Sequence, residues 1–147
     1  MSNECVIEVL MVDDDEGDTL MAQEAFEDIG FPHNFHIVHD GIQALDFMEK
    51  KGEFVDAPDP DFVLLDINMP RMNGHEVLDW IRHHHKYELI PVVILTTSHS
   101  DEDIFKSYKG RANSFVTKPT DIREFNNAVR AIREFWFSVA RLPTLKK

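Results

Sequence analysis

Four largely apolar runs punctuate the chain, at 6–12, 62–65, 92–95 and, more briefly, 114–116. Short runs rich in Val, Ile and Leu suit strands buried on both faces, as in a parallel sheet. A weaker stretch at 35–38 predicts one more strand. Between these runs the spacing turns helical. Residues 19–29 place Leu20, Ala25, Phe26 and Ile29 near one face, and 41–51 do the same with Ile42, Leu45, Phe47 and Met48. Residues 74–82 carry Val77, Leu78 and Ile81, residues 101–109 carry Ile104, Phe105 and Tyr108, and residues 121–141 carry Phe125, Val129, Ile132, Trp136 and Val139. Strand and helix therefore alternate five times.

That alternation predicts an α/β fold: a doubly wound, parallel five-stranded sheet with helices on both faces and right-handed crossovers. In such sheets ligands gather where the carboxyl ends of the strands meet the following loops. The one linker-like stretch, 50–61 (KKGEFVDAPDPD), reads as a loop within the fold, and no internal repeat interrupts the pattern.

Composition narrows the function. A 147-residue chain fits one domain and can bury about 70% of its unfolded surface. No run approaches the roughly 18 apolar residues of a membrane span. Lys plus Arg number 15 against 27 Asp plus Glu, and the net charge of −12 disfavours nucleic acid and anionic membrane surfaces as partners. The single cysteine, Cys5, cannot form an internal disulfide and reads as a small core-facing residue at a strand start. The first ten residues lack a signal-peptide pattern, so the chain is expected in the cytoplasm.

The residues just past the strands carry the chemistry. The first predicted strand ends in Asp13, Asp14 and Asp15, the third in Asp66, the fourth in Thr96 and Thr97, and the fifth in Lys118 and Pro119. A parallel sheet brings these groups to one edge. Asp13, Asp14 and Asp66 gathered there repel one another unless a cation neutralises them, and an all-oxygen set suits a hard ion such as Mg²⁺. With a hydroxyl and a lone ammonium opposite, the set forms a cradle for a phosphoryl group. Taken singly, each residue has a plainer reading: Asp14 or Asp15 as a helix N-cap, Lys118 as a solvated side chain, Thr96 as a strand-end hydroxyl.

The runs LMVDDDEGD, LLDINMPRMNGHEVL, PVVILTTS and SFVTKP, in this order and spacing, resemble the receiver domain of two-component response regulators. The resemblance implies a flavodoxin-like receiver domain over 5–141, followed by a short tail at 142–147. It implies that Asp66 accepts a phosphoryl group from a histidine kinase and that Asp13, Asp14, Asp66 and the Asn68 main-chain carbonyl bind Mg²⁺. Thr96 and Lys118 would hold phosphoryl oxygens, Thr96 and Phe115 would act as the switch pair, and the Lys118–Pro119 peptide would be cis. Phosphorylation and its hydrolysis would be self-modification rather than enzymatic turnover. The HDGIQALDFMEKKGEF stretch, the lengthened loop before PDFVLLDINMP and the EFWFSVARLP ending are similar to single-domain regulators paired with bacterial and cyanobacterial phytochrome kinases. That likeness implies a homodimer through the fourth and fifth helices and the fifth strand.

Phe135 and Phe137 fall off the apolar stripe of the last helix and are the dimer-interface candidates, together with Leu142 and Pro143. The competing arrangement folds the tail back over them. His83, His84 and His85 are consecutive on a helix end and point in different directions, which reads as a solvated terminus rather than a zinc site. A competing function is a haloacid dehalogenase-type phosphatase or phosphotransferase with Asp13 as nucleophile. Asp15, Thr96 and Lys118 mimic that family, but EGDTL after Asp15 departs from its motif. A flavodoxin-like cofactor binder would need a Gly- or Ser/Thr-rich phosphate loop after the first strand, which is missing.

Overall fold

The apolar runs become the strands β1 (Ile7–Val12), β2 (His33–Val38), β3 (Phe62–Leu65), β4 (Val92–Thr96) and β5 (Ser114–Thr117). They form one fully parallel sheet in the order β2-β1-β3-β4-β5. Structure is described, from a computed structural model, for residues 6–27 and 32–143. Expectations for Cys5 and Ile29, and for the Val139 side chain, fall outside the described residues. The crossovers are the helices α1 (Glu16–Glu27), α2 (Gly41–Glu49), α3 (Gly74–His83) and α4 (Asp101–Lys109), and α5 (Ile122–Glu134) follows β5.

Strand alternation divides the core into two layers. Leu10, Val12, Val63, Leu65, Val92 and Ile94 face α2 and α3, packing on Ala44, Phe47, Val77, Leu78 and Ile81. Val9, Met11, Phe62, Leu64, Val93 and Leu95 face α1 and α5, packing on Ala22, Phe26, Phe125, Val129 and Ile132. Among the described residues no helix is long and apolar enough to cross a membrane.

Four side chains depart from the predicted stripes. Leu20 on α1 is 58% exposed, Ile42 on α2 is exposed, and on α4 both Phe105 (67%) and Tyr108 lie open to solvent. The α4 departure has a topological cause. This helix covers β5, the edge strand, so it has little sheet beneath it, and Ser107 is its one fully covered position.

The end of α5 differs as well. Residues Phe135–Val139 wind as a π-helix, with the Ala140 N–H donating to the Phe135 carbonyl at 2.7 Å. An i→i+5 turn rotates each residue through a smaller angle than an α-helix does, which swings Phe137 back toward the core. Its ring meets those of Phe26 and Phe62 at 5.4 and 5.3 Å, and Leu142 packs on the same layer. Phe135 remains 51% exposed. The expectation that both phenylalanines lie off the core therefore holds for Phe135 alone.

Among the described residues no peptide bond is cis, so Lys118–Pro119 is trans, against the expectation. A proline peptide favours trans by only about 0.5–1 kcal/mol, and either form is compatible with a loop at this position.

A candidate phosphoryl and divalent-cation site at the sheet's carboxyl edge

Because all five strands run parallel, the chemistry-bearing residues emerge together. Asp13 follows β1, and the Asp66 N–H donates to the Val12 carbonyl at 2.9 Å, which fixes the end of β3 beside it. Asp13, Asp14 and Asp66 offer carboxylate oxygens that all lie within 4.8 Å of one another. Asp13 and Asp66 are buried, whereas Asp14 is exposed at the rim. Across from them, the Lys118 ammonium is 2.7 Å from Asp13 Oδ2, 2.8 Å from Asp18 Oδ2 and 3.6 Å from Asp66 Oδ2. The Lys118 N–H donates to the Thr96 carbonyl at 2.6 Å, which ties the ends of β4 and β5 together.

The electrostatics of this cluster are unbalanced. Burial pushes the Asp13 carboxyl up to about 6, the hydrogen bond and charge of Lys118 oppose that, and the neighbouring Asp66 charge adds to it. Burial alone would drag Lys118 down, yet its bonds to Asp13 and Asp18 and the charge of Asp66 outweigh burial and hold the ammonium above its ordinary value. Three carboxylates, those of Asp13, Asp18 and Asp66, thus meet one ammonium, and Asp14 adds a fourth beside Asp13 and Asp66. Oxygen donors in this number, held this close, fit a divalent cation.

The loop after Asp66 is shaped by close backbone approach. The Gly74 N–H donates to the Ile67 carbonyl at 2.9 Å, and a Cβ on Gly74 would overlap the Asp66 carbonyl. Asn73 and Glu76 then form a reciprocal capping box that starts α3. The Asn68 N–H lies 3.4 Å from Asp66 Oδ1, and the Asn68 side chain is exposed. Thr96 is fully buried at the end of β4, and its Oγ1 faces the Ser98 N–H at 3.5 Å. Phe115, opposite Ile94 on β5, packs half-buried against the layer under α2 and α3.

Asp15 has the plain role open to it, since its Oδ1 caps α1 by accepting from the Asp18 N–H at 2.9 Å. The three histidines form no cation site. His83 Nδ1 donates to the Asp79 carbonyl, and His84 stacks on His85 and lies tilted against Trp80. Among the described residues, Asp13, Asp14 and Asp66 alone make a group of three possible metal ligands.

Sequence reasoning missed two contributors. Asp18 lies one helical turn beyond Asp14, a spacing that would have placed it at this rim once the start of α1 was known. The Arg71–Asp40 pair, with Nη2 to Oδ2 at 2.6 Å, joins loops 31 residues apart, and no local pattern announces it.

The sequence profile of the response regulator receiver domain matches residues 9–130. The chain belongs to that family. This receiver is 35% identical to response regulator Rcp1 of Synechocystis sp. over 135 residues, spanning 92% of both chains. Its fold superposes on the phosphorylated cyanobacterial phytochrome response regulator RcpA with a TM-score of 0.92 at 36% identity, covering 95% of this chain and all of that one. The Mn²⁺-bound form of Rcp1 matches with a TM-score of 0.90 at 34% identity, over 94% of this chain and 99% of that one. The haloacid dehalogenase alternative gains no support. In this receiver Asp13 is buried with one oxygen on Lys118 and the other on the Asp15 N–H, which leaves it poorly placed as a nucleophile.

Proposed function

We propose that this receiver takes a phosphoryl group from a phosphohistidine of a sensor histidine kinase onto Asp66, and that the kinase is of the phytochrome type. The observation that carries this reading is the convergence of Asp13, Asp14 and Asp66 within 4.8 Å, with Lys118 opposite. An Asp66 carboxylate oxygen forms a bond to phosphorus as the phosphorus–nitrogen bond to imidazole breaks, and the electron pair leaves on the imidazole. Hydrolysis by water later returns the carboxylate and inorganic phosphate.

Asp14, Asp66 and the Asn68 carbonyl would hold Mg²⁺ directly, with Asp13 acting mostly through water. The ion supplies charge neutralisation for the phosphoryl oxygens. Lys118 can pair with one of those oxygens and the Thr96 hydroxyl can donate to another, while Phe115 follows Thr96 by repacking. Phenylalanine at that position packs but forms no phenolic hydrogen bond. Self-phosphorylation and self-hydrolysis are the only chemistry in this reading, and a separate substrate is not turned over. The receiver unit spans 5–141, with a tail at 142–147, and works in the cytoplasm beside its kinase. A homodimer would use α4, β5 and α5, where Phe105, Tyr108, Ile122 and Phe135 are exposed.

The deciding experiment incubates the protein with acetyl phosphate and Mg²⁺ and reads a hydroxylamine-labile phosphoryl group by mass spectrometry. Wild type should label, Asp13→Asn should label more slowly because the cation site is weakened, and Asp66→Asn should not label. Normal labelling of Asp66→Asn with loss in Asp13→Asn would sink the receiver chemistry and restore the phosphatase alternative.

A further inference from the structure

The loop that follows Asp66 contains a strained non-glycine residue, Arg71. Arg71 sits at φ 70°, and the Met72 N–H donates to the Pro70 carbonyl at 2.7 Å, closing a three-residue γ-turn around it. A γ-turn whose central residue has positive φ is rare and strained, and such strain persists only where surrounding contacts over-determine it. Those contacts come from the β2–α2 loop. Arg71 donates from Nη2 and Nε to the same Asp40 oxygen, at 2.6 and 3.1 Å. The other Asp40 oxygen accepts from the Gln43 N–H at 2.8 Å and caps α2, so the carboxylate is not free to follow the arginine. Gly41 presses on Met72 so closely that a Cβ would overlap the Met72 carbonyl. The same β2–α2 loop reaches the first strand: His39 Nδ1, which must donate because a carbonyl only accepts, lies 3.2 Å from the Asp13 carbonyl.

We infer that Arg71 is a positioning residue, latched to Asp40 so that the strained turn holds the Asp66–Asn68 segment in register with Asp13 for a divalent cation. Through the β2–α2 loop the latch ties together the two elements whose oxygens would meet one ion, the end of β1 and the loop after β3. Arg71 directs its guanidinium to Asp40 rather than to Asp13, Asp14 or Asp66. Its charge is spent on Asp40, which is 8% exposed and already fixed by α2, so the arginine anchors its own backbone rather than a ligand. Outer partners of a metal site commonly change affinity by about 10–100-fold when removed, and an effect relayed through backbone belongs at the low end.

This inference rests on the reading of the acidic cluster as a cation site, and its test separates the two. Calorimetric titration of Mg²⁺ into wild type, Arg71→Ala, Arg71→Gly and Arg71→Lys is run beside thermal melting of each ion-free protein. Arg71→Gly matters because glycine adopts the positive φ without strain. The expected result is a Kd about tenfold weaker in both Arg71→Ala and Arg71→Gly, with partial recovery in Arg71→Lys. Wild-type affinity in Arg71→Gly would show that only the turn matters and would overturn the latch, as would a lowered melting temperature with unchanged Kd. Absence of Mg²⁺ binding in wild type would instead overturn the cation site itself, and the latch with it.

Discussion

Lys118 Nζ donates to Asp18 Oδ2 at 2.8 Å, a contact across 100 residues of chain. It holds the lysine 3.6 Å from Asp66, farther than from either Asp13 or Asp18. The ammonium is thus engaged most closely by Asp13 and Asp18, and under the proposed function a phosphoryl group on Asp66 would compete with them for it. Removing one partner of a buried ion pair costs about 3–5 kcal/mol when the other is stranded. Here Asp13 remains, so Asp18→Asn should lower stability by about 1–2 kcal/mol, read by urea unfolding. Lys118→Met strands Asp13 and should cost more. Equal losses in the two variants would contradict this arrangement.

Gly74 gives a test of the loop after Asp66. With Asp66's carbonyl in the way of any Cβ, the loop and the start of α3 must part to admit even a methyl group. Overpacking of this kind costs about 1–3 kcal/mol, although alanine is otherwise the better helix former. Gly74→Ala should therefore melt earlier and label more slowly with acetyl phosphate, in contrast to a helix-interior Gly→Ala change. Unchanged labelling would mean that the loop accommodates the methyl without moving Asp66.

The convergence of Asp13, Asp14, Asp66 and Lys118 was legible because β1, β3, β4 and β5 carry short, largely apolar runs with polar residues directly at their carboxyl ends, whereas β2 (HNFHIV) gives only a weak signal. Parallel pairing does the rest. What was not legible depends on neighbours distant in sequence. Phe105 and Tyr108 keep a helical spacing, yet α4 lies over an edge strand and leaves them exposed. Phe137 breaks the 3.6-residue pattern, but the π-turn at Phe135–Val139 brings it onto Phe26 and Phe62. The Asp40–Arg71 pair needs the sheet order before its two loops become neighbours.

Acid stability should depend on Asp59. Partial burial pushes its carboxyl up, but hydrogen bonds with Lys50, Lys86 and Tyr87 outweigh this and hold it at about 2, below the ordinary 3.8. Its Oδ1 lies 2.6 Å from Lys50 and 3.0 Å from Tyr87, and the Tyr87 hydroxyl also reaches the Met48 carbonyl at 2.9 Å. With the folded value depressed, the stabilisation is complete above the unfolded value and is lost as pH falls through about 2. Melting temperatures measured from pH 5 downward should fall across that window, and Asp59→Asn should remove part of the slope. The pair is partly exposed, so added salt should weaken the effect. A slope identical in Asp59→Asn and wild type would assign acid sensitivity elsewhere.

The two phenylalanines that follow α5 should separate fold from assembly. Phe137 contacts the rings of Phe26 and Phe62, both fully buried, so Phe137→Ser removes aromatic packing from the layer beneath α1 and α5. Full Phe-to-small truncation costs about 3–5 kcal/mol, and a half-buried ring should cost about 2–3 kcal/mol. Phe135 meets only Trp136 edge-on among the described ring contacts and is half exposed, so Phe135→Ser should leave unfolding nearly unchanged. If the homodimer forms through α4, β5 and α5, sedimentation should show Phe135→Ser shifted toward monomer at constant stability. Phe137→Ser should lose stability first and dimerise less only as a consequence. A Phe135→Ser protein with an unaltered monomer–dimer balance would take Phe135 out of the interface.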